Sequence, residues 1–187
     1  MTKSESRKTY LSLRAQFTNE EIECFSNQIT NQLFSNFDFS DKIISVFLPI
    51  VGKNEMNTNL FIKRLANLKS TVGIPKADFN TFELTHFRYD SESQLEISNY
   101  GIPEPISGEV LPANTFNFVI VPLIIFDKKG YRTGYGKGFY DRFLSYCSTE
   151  TIFIGVSFFE PIEILSDVHS NDIPLHYCVT PNSIYKF

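Results

Sequence analysis

A glycine-rich stretch in the second half of the chain, Gly134-Tyr135-Gly136-Lys137-Gly138, has the residue types that bind phosphate. Its glycines let the backbone take positive φ and come close to a ligand, so that successive amides can point at an anion. Lys137 would add a positive charge for a phosphate, with Arg132 close by in the sequence. Asp141, just beyond the stretch, could hold a divalent cation that bridges phosphates. We therefore predict a phosphate-binding loop, against the alternative of a glycine-rich turn whose charges face water.

The spacing of this stretch excludes two common phosphate-binding motifs. A Walker A loop requires Ser or Thr after its lysine, whereas Gly138 follows Lys137 here. The dinucleotide-binding fingerprint requires a different spacing of its glycines. The loop on its own therefore leaves a sugar-phosphate isomerase or transferase as an alternative function.

Buried strands and their connections must position this loop. Residues 118–126 form an apolar, β-branched run that predicts a strand ahead of the loop, and residues 139–147 predict a helix behind it. Residues 43–48 form a second apolar run, typical of a strand buried on both faces, and Glu55 lies in the loop that follows. In open α/β sheets, ligands bind at the carboxyl ends of the strands, so we expect both loops at one edge of the sheet.

The rest of the chain alternates between helical and strand patterns. Thr18 and Glu21 form a capping box ahead of a helix whose apolar residues recur at helical spacing. The other predicted elements are a helix over residues 3–16, a helix after residue 57, strands over 71–75, 82–89, 151–158 and 177–180, and an irregular segment over 90–116. This order predicts one α/β domain over residues 1–187, with an open, largely parallel sheet and helices on both faces.

Composition and charge exclude several classes of protein. The chain has 187 residues, of which 42% are hydrophobic, and a formal net charge of -4, so a nucleic-acid partner is not expected. No apolar run reaches the length of a membrane span and no hydrophobic signal region is present, so a membrane partner is not expected either. An odd number of widely spaced cysteines favours reduced thiols and a cytoplasmic location; these are Cys24, Cys147 and Cys178.

The first predicted helix is basic in an acidic protein. Lys3, Arg7, Lys8 and Arg14 carry its positive charge. These side chains form either a solvated face or a set of cations that reach a polyphosphate gathered by the glycine-rich loop. The residues alone leave both alternatives open.

A resemblance to a known family extends over the chain. Residues 126–141 contain Phe-Asp, a short gap, Gly, a basic residue and then Gly-x-Gly-x-Gly followed by Tyr140-Asp141. This pattern resembles the signature of the 5-formyltetrahydrofolate cyclo-ligase family, also called 5,10-methenyltetrahydrofolate synthetases. Four further motifs resemble family features in the same order: Lys3 with Arg7, Phe47-Leu48-Pro49 with Glu55, Ile102-Pro103-Glu104-Pro105, and Asn171-Asp172. Phe139 replaces the usual tyrosine, and Tyr100 stands where some members carry tryptophan, which affects fine substrate contacts rather than the class of reaction.

The resemblance implies an enzyme that uses ATP and Mg²⁺ to convert 5-formyltetrahydrofolate to 5,10-methenyltetrahydrofolate, ADP and phosphate; we expect it to be a monomer. Lys137 and Arg132 would be catalytic, and Asp141 and Asp172 would hold Mg²⁺. The nucleotide would contact Lys3, Arg7, Arg132, Gly134, Tyr135, Gly136, Lys137, Gly138, Phe139 and Tyr140. The folate would contact Leu48, Glu55, Tyr100, Tyr135, Gly136, Lys137, Gly138 and Phe139. A non-catalytic relative that binds folate or nucleotide is the alternative on the same fold.

Overall fold

An eight-stranded sheet forms the centre of the computed structural model, which describes residues 1–90 and 93–187. The strands, numbered along the chain, are β1 (Ile43–Ser45), β2 (Thr71–Asp78), β3 (Glu83–Tyr89), β4 (Leu95–Ile97), β5 (Pro103–Pro105), β6 (Val110–Leu111), β7 (Phe118–Pro122), β8 (Ile125–Phe126), β9 (Arg132–Thr133), β10 (Ile152–Val156), β11 (Tyr177–Val179) and β12 (Ile184–Lys186). The helices are α1 (Lys3–Arg14), α2 (Asn19–Asn36), α3 (Asn59–Ala66) and α4 (Phe139–Ser145), with a 3-10 turn at Ala113–Thr115. No helix within the described ranges has both the length and the apolar character needed to cross a lipid bilayer.

The large sheet is open and largely parallel, as predicted. Its strand order is β12-β11-β10-β7-β1-β2-β3-β6. The neighbours from β11 through β10, β7 and β1 to β2 pair in parallel, whereas β12, β3 and β6 pair antiparallel at the two ends. The parallel strands β1, β2 and β7 therefore end at one edge, where the loops that follow them meet.

Helices cover both faces of the sheet, which confirms the predicted fold class. Successive residues of a strand point to opposite faces, so Ile120 of β7 packs into one hydrophobic cluster and Val119 into the other. The first cluster contains Leu33 of α2 and Phe61 of α3, both fully buried. The second contains Phe143 of α4. α1 instead contacts β8 and β9, and this contact brings its cations to the glycine-rich loop.

Two helices begin with a capping box. At the start of α2, the Glu21 amide donates to Thr18 Oγ1 at 3.2 Å and the Thr18 amide donates to Glu21 Oε2 at 2.8 Å, as predicted. Thr2 and Glu5 form the same arrangement at the start of α1, where it was not predicted. This second box fixes the beginning of α1 and therefore the position of Lys3.

Four predicted elements differ from the structure. Of the predicted strand over 43–48, only Ile43–Ser45 forms β1. The predicted strand over 71–75 continues through Pro75 to the end of β2, because β1 ends opposite Gly73 and Pro75 has a strand neighbour on one side only. The predicted strand over 118–126 divides after Pro122, and its second part, β8, pairs with β9 in a separate hairpin. The segment over 90–116, predicted to be irregular, contains β4, β5 and β6; its residues 91 and 92 lie outside the described residues.

Candidate functional site

A cavity of about 560 Å³ opens at the carboxyl ends of β1, β2 and β7. Its volume lies within the usual range for small-molecule sites. Every residue predicted to bind nucleotide, folate or metal lines this cavity: Lys3, Arg7, Leu48, Glu55, Tyr100, Arg132, Gly134, Tyr135, Gly136, Lys137, Gly138, Phe139, Tyr140, Asp141 and Asp172. The fold therefore gathers these positions from both halves of the chain, and the loop after β1 meets the glycine-rich stretch there.

Asp127 builds the turn that carries the glycine-rich stretch. Its side chain is fully buried, and Oδ1 accepts hydrogen bonds from the amides of Lys129 at 2.9 Å and Tyr131 at 3.0 Å. Oδ2 accepts a hydrogen bond from the amide of Leu165 at 3.0 Å. These bonds close the connection between β8 and β9 and thereby place Arg132 at the cavity. Asp127 is a structural residue of the turn rather than a part of the cavity wall.

The glycine-rich stretch folds around the side chain of Arg7. Gly136 and Gly138 have φ values of 90° and 74°, in the left-handed region that favours glycine. A Cβ on Gly136 would lie 3.0 Å from Arg7 Nη2, and the Gly134 carbonyl accepts a hydrogen bond from Arg7 Nε at 2.8 Å. Gly134 itself has no positive φ, and a Cβ there would meet no described atom within 4 Å. The backbone conformation therefore favours glycine at 136 and 138, whereas at 134 neither the backbone conformation nor a neighbouring described atom does.

α1 directs three of its cations toward the site. Lys3, Arg7 and Arg14 are spaced at i, i+4 and i+11, which places them on one side of a helix. Lys3 and Arg7 line the cavity, and Arg14 is buried against Glu55. Lys8 is exposed to solvent. Of the four cations of this helix, Lys8 therefore lies on a solvated face, Lys3 and Arg7 lie at the cavity, and Arg14 pairs with Glu55.

Two aspartates in the cavity have the same kinds of hydrogen-bond partners. Asp141 Oδ1 accepts hydrogen bonds from Arg132 Nη2 at 2.8 Å and from the Ile173 amide at 3.1 Å. Asp172 Oδ2 accepts from Lys3 Nζ and from a backbone amide 2.6 Å away. The second oxygen of each carboxylate receives no hydrogen bond from a described residue. Burial raises the pKa of Asp172, but the bonds from Lys3 and the amide outweigh this and lower the pKa overall.

Arg132 is the most enclosed cation of the cavity wall. Its side chain is 6% exposed, and Nη1 donates to the carbonyl of Ile173 at 2.6 Å while Nη2 binds Asp141. Burial lowers the pKa of its guanidinium, and the charges of Asp141 and Asp172 oppose that effect. Across residues 1–90 and 93–187, no group of three or more His, Cys, Asp or Glu side chains is arranged to hold a metal without other ligands.

Glu55 is a buried carboxylate with both oxygens engaged. Oε2 accepts a hydrogen bond from the Ile50 amide at 2.7 Å, and Oε1 accepts one from the Tyr135 hydroxyl at 2.8 Å. Arg14 Nη2 lies 3.9 Å from Oε1 and also donates to the Tyr135 hydroxyl. Burial raises the pKa of Glu55, and the Ile50 amide and Arg14 partly offset this. Glu55 is therefore not the solvated carboxylate that its position in a loop would suggest.

Aromatic rings form another part of the cavity wall. Tyr100 stacks on Phe79 with ring centroids 3.6 Å apart, and Phe139 meets Phe79 edge to face at 5.1 Å. Leu48 adds a buried aliphatic surface. The hydroxyl of Tyr140 is buried and has no hydrogen-bond partner among the described residues, and burial raises its pKa. This hydroxyl is therefore neutral and can bond a group that enters the cavity.

Sequence reasoning missed several residues of the site. Arg14 was noted only as a cation of the first helix, although its helical spacing to Lys3 and Arg7 places it on the same side of that helix. Glu104 was noted only as part of the proline-rich motif, yet it lines the cavity and its Oε1 accepts a hydrogen bond from the Ala77 amide at 2.8 Å. Phe79 carried no sequence signal, because its contact with Tyr100 joins distant parts of the chain.

Comparison with known proteins agrees with this architecture. The 5-formyltetrahydrofolate cyclo-ligase family matches residues 1–181. The 5-formyltetrahydrofolate cyclo-ligase of Escherichia coli strain K12 is 31% identical over 148 residues, which cover 77% of this chain and 80% of that protein. The Haemophilus influenzae enzyme of the same name is 32% identical over 139 residues, which cover 72% of this chain and 73% of that protein.

A solved structure extends the similarity to the whole chain. The NMR structure of Aquifex aeolicus 5,10-methenyltetrahydrofolate synthetase superposes with a TM-score of 0.83 at 31% identity, and the match covers 100% of this chain and 93% of that one. The family match and the structural match thus agree with the resemblance seen in the sequence motifs. The chain belongs to the 5-formyltetrahydrofolate cyclo-ligase family.

Proposed function

We propose that this chain converts 5-formyltetrahydrofolate and ATP to 5,10-methenyltetrahydrofolate, ADP and phosphate. Besides membership of the family, one observation carries the proposal: a single cavity combines charged groups suited to a polyphosphate with an aromatic wall suited to a pterin. The charged part includes Lys3, Arg7 and Lys137, and the aromatic part includes Tyr100 and Phe139. A nucleotide and a folate can therefore meet in one site.

The proposed reaction activates a formyl amide, which is a poor electrophile because its nitrogen donates electrons into the carbonyl. The formyl oxygen attacks the γ-phosphorus of ATP, the bond to ADP breaks, and the oxygen becomes part of a leaving group. N10 of the folate then attacks the formyl carbon and loses its proton to solvent, and phosphate departs with the former formyl oxygen. The protein has to align these atoms and neutralise charge on the transferred phosphoryl group.

We assign the transferred phosphoryl group to Arg7 and Lys137, with the amides of the glycine-rich stretch. Arg7 is held in place by its bond to the Gly134 carbonyl. The Lys137 side chain is exposed and forms no ion pair with a described residue, so it is free to follow the phosphate. Arg132 contributes charge and also aligns Asp141 through their hydrogen bond. One such group is typically worth about 3 kcal/mol of transition-state stabilisation.

Asp141 and Asp172 are the residues that would hold Mg²⁺. Each has one carboxylate oxygen fixed by a cation and an amide, and a second oxygen that no described residue occupies. Two such oxygens suit Mg²⁺, which takes few protein ligands and completes its shell with phosphate and water oxygens. When bound, the ion would neutralise charge on the phosphates of ATP.

We assign Glu55 and the aromatic wall to the folate. Glu55 is a hydrogen-bond acceptor in an otherwise enclosed position, which suits an N–H group of the substrate. Tyr100 is 58% exposed and offers its ring to the pterin, and Leu48 offers an aliphatic contact. Phe139 lacks the hydroxyl of the family's usual tyrosine and contributes an apolar surface. The buried Tyr140 hydroxyl would bond whichever substrate reaches it.

The cavity also supports the remaining parts of the proposal. This chain supplies every group that we assign to ATP, Mg²⁺ and folate, so we infer a monomer that acts as one domain over residues 1–187. The cysteines are free thiols, as expected in the reducing environment of the cytoplasm. A non-catalytic relative would have no need of a free lysine beside a preformed pair of aspartates, and a sugar-phosphate isomerase would have no need of an aromatic wall.

A spectroscopic assay tests the proposal directly. Purified protein is mixed with 5-formyltetrahydrofolate, ATP and Mg²⁺, and the absorbance of the methenyl product is followed, with matched reactions that lack ATP or protein. We expect product only in the complete mixture. Binding of folate and ATP without product would favour the non-catalytic relative, and no folate binding would reject the proposed function.

A further inference from the structure

Arg14, the last residue of α1, is a buried cation to which the proposed chemistry assigns no role. Its side chain is 5% exposed, and arginine is rarely buried without a partner. Nη2 donates a hydrogen bond to the Tyr135 hydroxyl and lies 3.9 Å from Glu55 Oε1. The guanidinium carbon also lies 5.7 Å from the centroid of the Tyr135 ring. All of these contacts lead to Glu55 rather than to the cations that face the phosphate.

The Tyr135 hydroxyl links Arg14 to the Glu55 carboxylate. Its hydroxyl donates to Glu55 Oε1 at 2.8 Å, while the Ile50 amide donates to Oε2 at 2.7 Å. Each carboxylate oxygen can accept a further hydrogen bond, and Glu55 lines the cavity. The arrangement therefore fixes the carboxylate while it leaves capacity for a ligand.

Few other charges face Glu55. Lys53 belongs to the same loop and is exposed, so solvent and salt screen its charge. Tyr140 of α4 lines the same cavity, and its phenol is neutral because burial raises its pKa. Burial raises the pKa of Glu55 itself; the hydrogen bond from the Ile50 amide opposes this most, and Arg14 is the buried countercharge that also opposes it. Removing Arg14 would leave a buried carboxylate with much weaker support for its charge.

We propose that Arg14 is a positioning residue that acts through Tyr135 to keep Glu55 ionised and in one orientation for the folate. The inference rests on the proposed function, which assigns Glu55 to that substrate. An ionised carboxylate accepts a stronger hydrogen bond than a protonated one. Without Arg14, Glu55 would take up a proton as the pH falls, and folate affinity would become dependent on pH.

Isothermal titration with 5-formyltetrahydrofolate, without ATP, tests this from about pH 6 to about pH 9, a range in which the unperturbed folate carboxylates do not titrate. The variants are Arg14→Met, Arg14→Lys and the control Lys8→Met, which removes an exposed charge from the same helix. We expect Arg14→Met to bind folate about tenfold or more weakly near the acidic end of the pH range. A close opposite charge changes the acid dissociation constant of a carboxylate by about that factor. The loss should shrink toward the alkaline end, and Arg14→Lys should recover part of it. Wild type and Lys8→Met should lose less affinity toward the acidic end than Arg14→Met.

The outcomes separate this inference from the proposed function. A loss in Arg14→Met that is equal at every pH, or no loss, would overturn the role of Arg14 while folate binding by the wild type still stands. Failure of the wild type to bind folate would overturn the proposed function instead. If Arg14→Met does not fold, Tyr135→Phe removes only the linking hydroxyl of a residue that is 39% exposed. It should show a smaller loss with the same pH dependence, and a loss that does not vary with pH would again refute the inference.

Discussion

Alanine at Gly134 and at Gly136, introduced separately, should divide the folding role of the glycine-rich stretch from its binding role. At Gly136 the φ of 90° is a left-handed conformation that costs a non-glycine residue about 1–2 kcal/mol. The new Cβ would also lie 3.0 Å from Arg7 Nη2, the flexible end of a side chain that can shift. We therefore expect Gly136→Ala to lower the free energy of unfolding by about 1–2 kcal/mol.

The same change at Gly134 meets neither penalty, because φ is not positive and no described atom lies within 4 Å of the new Cβ. Gly134→Ala should keep or raise the free energy of unfolding, by up to about 1 kcal/mol, through reduced freedom of the unfolded chain. Because Gly134 lines the cavity, its new methyl group should weaken ATP binding by about tenfold.

Equilibrium urea unfolding and calorimetric titration with a non-hydrolysable ATP analogue and Mg²⁺ measure the two effects on the same samples. The reasoning would be refuted if Gly134→Ala were destabilised as much as Gly136→Ala. Unchanged nucleotide affinity in a stable Gly134→Ala protein would also refute it, since position 134 would then not approach the nucleotide.

Three further predictions follow from single side chains. Lys137→Ala should lower kcat by at least about tenfold, whereas Lys129→Ala, on the exposed turn before the loop, should leave it unchanged; equal effects would make Lys137 a solvated residue. Asp141→Asn keeps an oxygen that accepts the hydrogen bond from Arg132 but loses the unoccupied carboxylate oxygen. The Mg²⁺ concentration needed for ATP binding should therefore rise, and a Mg²⁺ titration identical to that of the wild type would remove Asp141 from the metal site. Burial lowers the pKa of His86 from 6.5 to about 3, so the unfolded state gains the proton first as pH falls. His86 should therefore lower the free energy of unfolding by about 2 kcal/mol as the pH falls from about 7.5 to about 5. The His86→Gln variant should lose this acid sensitivity, whereas the exposed His169→Gln variant should keep it. Equal acid sensitivity in the two variants would contradict the assignment of this effect to His86.

Most elements of the fold could be predicted from local sequence patterns. The capping box at Thr18 and the apolar run that became β7 predicted their elements because both signals involve neighbouring residues. The division of that run after Pro122 and the passage of β2 through Pro75 depend instead on which strands lie alongside. The strands between residues 93 and 111 are only two or three residues long, and β5 contains two prolines, so their pairing could not be recognised from local pattern.

The sequence predicted which residues line the site better than it predicted the contacts between them. The carboxyl edge of a parallel sheet explains why Glu55 and the glycine-rich stretch line one cavity. The hydrogen bonds that join Arg14, Tyr135 and Glu55 connect three distant segments, and no local spacing indicates them. Asp127 follows its strand, a position typical of catalytic carboxylates, yet its side chain stabilises the turn, which only its hydrogen bonds from buried backbone amides reveal.

The central claim is that phosphate is transferred from ATP to the formyl oxygen of the folate in this cavity. The most direct measurement uses 5-formyltetrahydrofolate labelled with oxygen-18 in the formyl group, with ATP and Mg²⁺, and analyses the released phosphate by mass spectrometry. The account predicts one labelled oxygen in the phosphate for each methenyl product formed. Methenyl product accompanied by unlabelled phosphate, with the label released to water, would contradict it.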